Sequence, residues 1–290
     1  MECENAVIGG GGAYHLLANG AFEMERLREI HTPYGESQPI YLVYQDEVRF
    51  MFMSRHGEYS HDISAPYVNY RANIYALKEL GAKQILAWSG PGAINTQLKM
   101  GQYFLPDDLI DETHGRESSF FEGRGAGLLR QNPVFCPRMS VVLDKTLKKL
   151  KHKYKSGGTY ICTQGPRLET PAEIRKYASF GGDVVGMTVA PECFLARELE
   201  ICYLPVCYIC NYAEGVRQSA YHAAVVFEGL NTEEEGKIVQ NAVTKLPKII
   251  LDAFCALPGS KTHCNCQHSM DHYKHASQLG PEWHDWIKQS

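Results

Sequence analysis

The chain has 290 residues, 44% of them hydrophobic and 21% charged, with a formal net charge of −4 and a pI near 6.3. That length buries a sizeable core in one large domain or two small ones, and the charge balance excludes an overall basic field for nucleic acid or anionic membrane. No run of about 18 uninterrupted apolar residues spans a bilayer, and the opening MECENAVIGGGG lacks a basic region followed by an apolar core, so a cytoplasmic protein without membrane or nucleic-acid partners is expected.

In chain order, a short apolar run leads into Ile8-Gly9-Gly10-Gly11-Gly12. Strands are then predicted at Ile40–Tyr44, Val48–Met53, Gln84–Trp88, Thr159–Thr163, Asp183–Met187 and Cys202–Cys210. Helices are predicted at Asn69–Leu80, where Tyr70, Ile74, Leu77 and Leu80 form an apolar stripe, and at Val141–Leu150, Thr170–Phe180 and Pro191–Leu199. Thr170-Pro171 followed by Glu173 is a helix start, because proline at the first position lacks only a donor the helix cannot use. Asn231–Leu257 reads as a long helix that Pro247 should kink or interrupt.

Strands alternating with helices indicate an α/β fold around a largely internal sheet. No repeat or long linker divides residues 1–260, which form the expected domain. Beyond Pro258-Gly259 the composition turns polar and rich in His and Cys, so residues 261–290 read as a tail. Its His263, Cys264, Cys266 and His268, continuing to His272 and His275, lack the paired halves of a familiar zinc site. A disordered tail or a CxC redox pair accounts for them, and no metal is assigned. Cys136, Cys162, Cys193, Cys202, Cys207, Cys210 and Cys255 are scattered, mostly through apolar runs, and read as small buried hydrophobes of a reducing compartment.

Six motifs have chemistry to offer, each with a plainer explanation beside it. The glycine run lets backbone N–H groups face an anion, or simply forms a turn; no helix and distal acid follow in the spacing of a dinucleotide fingerprint. Arg55-His56, directly after a strand, suits an oxyanion such as phosphate, or a strand-end ion pair. Ser89-Gly90-Pro91-Gly92 follows a strand at the carboxyl end, where open α/β sheets bind ligands, or is a tight loop. Glu169 is a carboxylate for the N–H groups of a base, or part of a helix cap. Met187-Thr188 combines an apolar platform with a hydroxyl near a helix start, or is core methionine with an N-cap. Asn211 offers an amide that donates and accepts at once, or an Asx turn.

Taken together and in order, these segments resemble the methylthioadenosine phosphorylases. The run Val68-Asn69-Tyr70-Arg71-Ala72-Asn73-Ile74-Tyr75-Ala76-Leu77-Lys78-Glu79-Leu80-Gly81 carries the likeness, with Arg55-His56-Gly57, Phe120-Phe121-Glu122-Gly123, Phe135-Cys136-Pro137, Gly186-Met187-Thr188 and Pro191-Glu192. The resemblance implies a single α/β domain with a twisted central mixed sheet flanked by helices, assembled as a homotrimer or a hexamer of trimers. Carried over by position, Arg55, His56, Ser89, Gly90 and Thr188 correspond to the phosphate site, with Gly11 where relatives carry Ser or Thr. Leu168, Glu169, Met187, Asn211, Ala213 and His61 correspond to the base and ribose site, with one extra residue before His61.

Gly165-Pro166-Arg167-Leu168-Glu169-Thr170 and Asn211-Tyr212-Ala213-Glu214-Gly215 instead resemble segments of the trimeric purine nucleoside phosphorylases. Methylthioadenosine phosphorylases have two aspartates in the latter segment, and this chain has neither. The implied activity is phosphorolysis of a 6-oxopurine nucleoside (inosine, guanosine or 5′-methylthioinosine), with Asn211, His56 and Arg55 catalytic and phosphate as co-substrate without any cofactor. Losing a hydroxyl donor at Gly11 is worth about 1.5–3 kcal/mol of phosphate binding, which leaves hydrolysis or non-catalytic nucleoside binding as alternatives, beside methylthioadenosine phosphorolysis. Polar Asn231-Thr232-Glu233, and Tyr221 and His222 before it, are candidates for a polar 5′ group.

Overall fold

Apolar strands alternating with amphipathic helices build two adjoining sheets, in a computed structural model that describes residues 3–10, 13, 20, 22–28, 30–45, 47–58, 61–217, 232–276 and 278–287. The strands are β1 Asn5–Gly9, β2 Glu23–Arg26, β3 His31–Thr32, β4 Gly35–Glu36, β5 Ile40–Gln45, β6 Val48–Ser54, β7 Gln84–Ser89, β8 Gly92–Ala93, β9 Tyr103–Leu105, β10 Asp108–Glu112, β11 Tyr154–Ser156, β12 Thr159–Thr163, β13 Gly182–Gly186, β14 Cys202–Tyr208 and β15 Asn211–Tyr212. The helices are α1 Tyr70–Glu79, α2 Pro137–Lys149, α3 Pro171–Ser179, α4 Val189–Glu198, α5 Glu233–Ala256 and α6 Asp271–His275.

The larger sheet is mixed, in the order β11-β9-β14-β7-β1-β6-β5-β2, with β14, β7, β1 and β6 mutually parallel. All six residues of β7 are buried, as a strand covered on both faces requires; such strands read as continuous apolar runs, not as alternating ones. The smaller sheet runs β10-β12-β13-β8-β15. Two strands of the first sheet lead directly into the second. After β7 the chain passes through Gly90-Pro91 into β8, and after β14 through Ile209-Cys210 into β15. The two crossings lie side by side, with the Cys210 amide donating to the Pro91 carbonyl at 3.2 Å.

The helices follow their caps. Asn69 accepts from the Ala72 amide to start α1, and Thr170 and Glu173 form a reciprocal capping box at α3. α5 is continuous through Pro247, so the expected interruption does not occur; Leu246, Ile249 and Ile250 are buried on either side and hold the helix by packing. The short strands β9 and β10 have no counterpart among the predicted elements, because their three and five residues are too few to show a period.

The described part of residues 261–290 packs against the domain. Met270, Tyr273, Trp286 and Ile287 are buried, Ser269 donates to the Arg197 carbonyl at 2.7 Å, and the Leu128 amide donates to the Tyr273 hydroxyl at 2.8 Å. Of the cysteines expected in the core, Cys255 is exposed and Cys210 half-buried.

Thr170→Ala removes one half of the capping box immediately after Glu169. It should lower stability by about 1 kcal/mol, read as a shifted urea midpoint with an unchanged slope.

Candidate active site

The carboxyl ends of β1, β6 and β7 lie next to one another in the larger sheet, and they carry Gly10, Arg55-His56 and Ser89-Gly90. Arg55 is 1% exposed. Its Nε donates to Glu192 Oε2 at 2.9 Å and its Nη2 to Glu192 Oε1 at 2.7 Å, a bidentate pair. Nη1 donates to the Trp88 carbonyl at 3.1 Å and Nη2 to that of Ile8 at 3.5 Å. Among the described residues four of its five N–H donors are thus used, and the remaining one is on Nη1. A side chain at Gly10 would start 3.1 Å from that atom and 2.6 Å from the Trp88 oxygen, so bare backbone is required over the guanidinium. The expected strand-end ion pair and the expected oxyanion donor are therefore the same residue. Arg55 keeps one oriented N–H without a partner among the described residues, its charge balanced by Glu192.

His56 is buried, and its Nδ1 lies 2.8 Å from the Ile63 carbonyl. A carbonyl only accepts, so Nδ1 carries the proton and Nε2 presents a lone pair. Burial, then the Arg55 charge, pushes the imidazole pKa down to about 3, although the Ile63 carbonyl opposes this. The residue is a neutral partner for a protonated phosphate oxygen and supplies no countercharge. His61 stacks on it, ring centroids 4.2 Å apart and 21° from parallel, and burial lowers its pKa too.

The smaller sheet supplies the other half. The loop after β12 brings Glu169 back to the strand end, where the Thr163 hydroxyl donates to Glu169 Oε1. The same hydroxyl lies 3.4 Å from the Gly186 carbonyl at the end of β13. Gly165, at φ +64°, turns this loop, and a Cβ there would stand 2.6 Å from Met187 Sδ. Glu169 and Met187 are thereby drawn to one place. Thr188 is the N-cap residue of α4 and its side chain makes no cap bond among the described residues; the first turn is broken at Ala190, whose amide donates to Cys162 Sγ at 3.3 Å, and Pro191 has no N–H to offer. Asn211 pairs in register with Gly92, three residues beyond Ser89. Its Oδ1 accepts a weak bond from Cys210 Sγ at 3.5 Å. Ala213 is buried behind it, while Leu168 is 41% exposed at the loop surface. Gly11, Tyr221, His222 and Asn231 lie outside the described residues.

Four residues that join the halves have no assigned role in the sequence reading. Glu192 holds Arg55 and also accepts from the Tyr203 hydroxyl at 2.7 Å. The buried Tyr160 hydroxyl, on β12, lies 3.1 Å from Ser89 Oγ and ties the two sheets at the site. Arg116 clamps both loops of the smaller sheet, donating to the carbonyls of Met187, Ala190, Thr163 and Gln164 at 2.6–3.2 Å. Its segment, Thr113-His114-Gly115-Arg116-Glu117, is polar and without period, and gives no sign of this.

The larger sheet thus carries Gly10, Arg55, His56 and Ser89 at its strand ends, and the smaller sheet Glu169, Met187, Thr188 and Asn211. Residues 10–255 match the model of the phosphorylase superfamily, and the chain belongs to that family. It is 37% identical over 273 residues to the 6-oxopurine nucleoside phosphorylase of Pyrococcus furiosus, covering 91% of this chain and 97% of the relative. A probable S-methyl-5′-thioinosine phosphorylase of Methanocaldococcus jannaschii is 38% identical over 267 residues, with 92% and 97% covered. The crystal structure of a methylthioadenosine phosphorylase from an antarctic soil metagenomic library superimposes with a TM-score of 0.79 at 27% identity, covering 92% and 91%. The chain is a nucleoside phosphorylase-type pentosyltransferase.

Glu192→Ala leaves the Arg55 charge buried and unpaired and should destabilise the protein by about 3–5 kcal/mol in denaturant unfolding. His56 gives a pH signature. Its folded pKa lies below the unfolded value of about 6.5, so its contribution is present above that pH and lost as pH falls toward 3. In the phosphate-free protein, ¹⁵N NMR at pH 6 should show a neutral, Nδ1-protonated ring; an imidazolium there contradicts the assignment.

Proposed function

We propose that the protein is a phosphate-dependent 6-oxopurine nucleoside phosphorylase, converting inosine, guanosine or 5′-methylthioinosine and phosphate into the free base and ribose 1-phosphate or its 5-methylthio analogue. The observation that carries this reading is that one sheet bears both Glu169, held by Thr163 at the end of β12, and Asn211, in register with Gly92 at the head of β15, with Met187 and Thr188 following β13. Thr163 occupies one oxygen of Glu169 and orients the carboxylate, leaving the other to accept base N1–H. Adenine offers a lone pair at N1, so the two acceptors would oppose each other and the site would reject it.

Asn211 donates from Nδ2 to N7 and O6. As the C1′–N9 bond breaks, its electron pair moves into the purine ring, and the amide stabilises the charge appearing at those atoms. A phosphate oxygen then bonds to C1′ of the cationic sugar, and the base takes up a proton. Phosphate is held by the Thr188 and Ser89 hydroxyls, backbone N–H groups at Gly10 and Gly90, and the Arg55 N–H that has no partner among the described residues. His56 Nε2 accepts from its remaining O–H. Each of these groups is neutral or already paired, so binding relies on orientation more than on net charge. The reaction needs no cofactor.

The same reading carries a cytoplasmic homotrimer. Exposed Tyr67, Leu128, Leu168 and Phe180 are the apolar surface such an assembly would cover, Leu168 lying next to Glu169.

Incubation with inosine, guanosine, 5′-methylthioinosine and methylthioadenosine, each with and without phosphate, tests the assignment. Oxopurine nucleosides should be cleaved only with phosphate. Faster cleavage of methylthioadenosine would overturn the base assignment, and equal rates without phosphate would make the enzyme a hydrolase. Asn211→Ala should lower kcat on the best oxopurine substrate by roughly 10²–10³-fold with the fold intact.

A further inference from the structure

At the opposite end of β14 from the candidate active site, four thiols from three distant parts of the chain converge. Cys136 caps α2, Cys202 is the first residue of β14, and Cys264 and Cys266 come from the segment beyond α5. Their sulfur atoms all lie within 4.8 Å of one another, and Cys202 Sγ is 3.6 Å from Cys264 Sγ. Cys136 and Cys202 are buried and the other two half-buried. The geometry points to a structural zinc ion held by the thiolates of Cys136, Cys202, Cys264 and Cys266.

The spacing agrees with this ion. Zinc–sulfur bonds of about 2.3 Å in a tetrahedron separate the sulfurs by about 3.8 Å, whereas a disulfide brings two of them to about 2.05 Å. Four protein ligands close the coordination sphere, which suits a structural role and leaves no position for substrate. On binding, the four thiols release their protons to solvent, and the tetrathiolate with its zinc carries two negative charges. The surroundings favour such an anion. The amide of Met139 is directed to Cys136 Sγ and that of Cys266 to Cys264 Sγ. Arg138, two residues from Cys136, donates to Gln84, the register partner of Cys202, and its buried Nε has no hydrogen-bond partner among the described residues. No histidine is part of the group, and His268 Nδ1 is 3.0 Å from Asp271 Oδ2.

The ion would hold the C-terminal segment to the start of β14. β14 has seven residues, so at about 3.3 Å per residue the ion sits roughly 20 Å from the phosphate end of the sheet. It serves the fold, independently of which nucleoside is cleaved.

The test is the metal content of the full chain, purified under reducing conditions from zinc-replete cells with any affinity tag removed. One zinc per chain is expected by mass spectrometry, released in step with modification of four thiols. Cobalt in its place should give the intense visible bands of tetrahedral thiolate coordination. Cys202→Ser and Cys266→Ser should lose the metal, and the exposed Cys255→Ser should retain it. Metal-free protein with four reactive thiols overturns the proposal, as does a disulfide among these cysteines in non-reducing peptide mapping, or iron in place of zinc. The measurements on the unaltered chain stand whether or not the variants fold.

Discussion

The buried pair of Arg55 and Glu192 is the constraint around which the site is arranged. Taking a guanidinium and a carboxylate out of water is expensive, and only good geometry with every remaining donor and acceptor satisfied recovers it. Each partner that satisfies them comes from a different element. The carbonyls are those of Ile8 in β1 and Trp88 in β7, Arg55 itself directly follows β6, Glu192 belongs to α4, and the hydroxyl is that of Tyr203 in β14. The four parallel strands and the helix carrying Thr188 can meet this demand in one relative placement only. That placement leaves a single guanidinium N–H beneath bare backbone at Gly10.

The two sheets divide the chemistry. The ends of β1, β6 and β7 carry Gly10, Arg55, His56 and Ser89, the residues proposed for phosphate, while β12, β13 and β15 present Glu169, Met187 and Asn211. They stay in register because the chain crosses between them twice at adjacent points, and because Ser89 and Tyr160 meet hydroxyl to hydroxyl across the seam. Arg116 does for the second sheet what Glu192 does for the first. One guanidinium is shared among four carbonyls on two loops, so neither loop can shift without losing charge-assisted bonds.

Much of this was legible in the sequence, and what was not has physical reasons. β7 announced itself by the apolar run Gln84–Trp88, and α3 by a threonine and glutamate at capping distance. Arg55, His56 and Asn211 were visible as polar residues directly after apolar runs, where strand ends put functional groups, and Glu169 as an acid just before a helix start. Glu192 was not, because an acid in the first turn of a helix is usually satisfied by the helix terminus, and nothing local says that its partner lies 137 positions away. Tyr160 and Cys202 sit in apolar strands, where a hydroxyl or thiol reads as one more core side chain. His56 was visible as an oxyanion partner beside Arg55, but its protonation state was not. Its neutrality comes from burial against Arg55, which no spacing encodes. The run from Cys264 to Cys266 lacked its second half for the same reason: Cys136 and Cys202 are neighbours only in space.

β14 joins these levels. It begins at the thiol group and ends at the candidate active site, and Tyr203, one residue in, touches both. Its carbonyl accepts from the Cys136 amide at 2.9 Å, and its hydroxyl reaches Glu192. Cys136 is therefore fixed by the same residue that orients the carboxylate holding Arg55. A strand pinned at its start by thiol ligands and at its second residue by a buried ion pair has little freedom to slide along β7. A slip of one position would turn every side chain to the opposite face, Tyr203 included. The position of β15, and of Asn211 at its head, follows from where β14 is anchored, so the amide proposed to read the base is located by contacts made at the far end of the sheet.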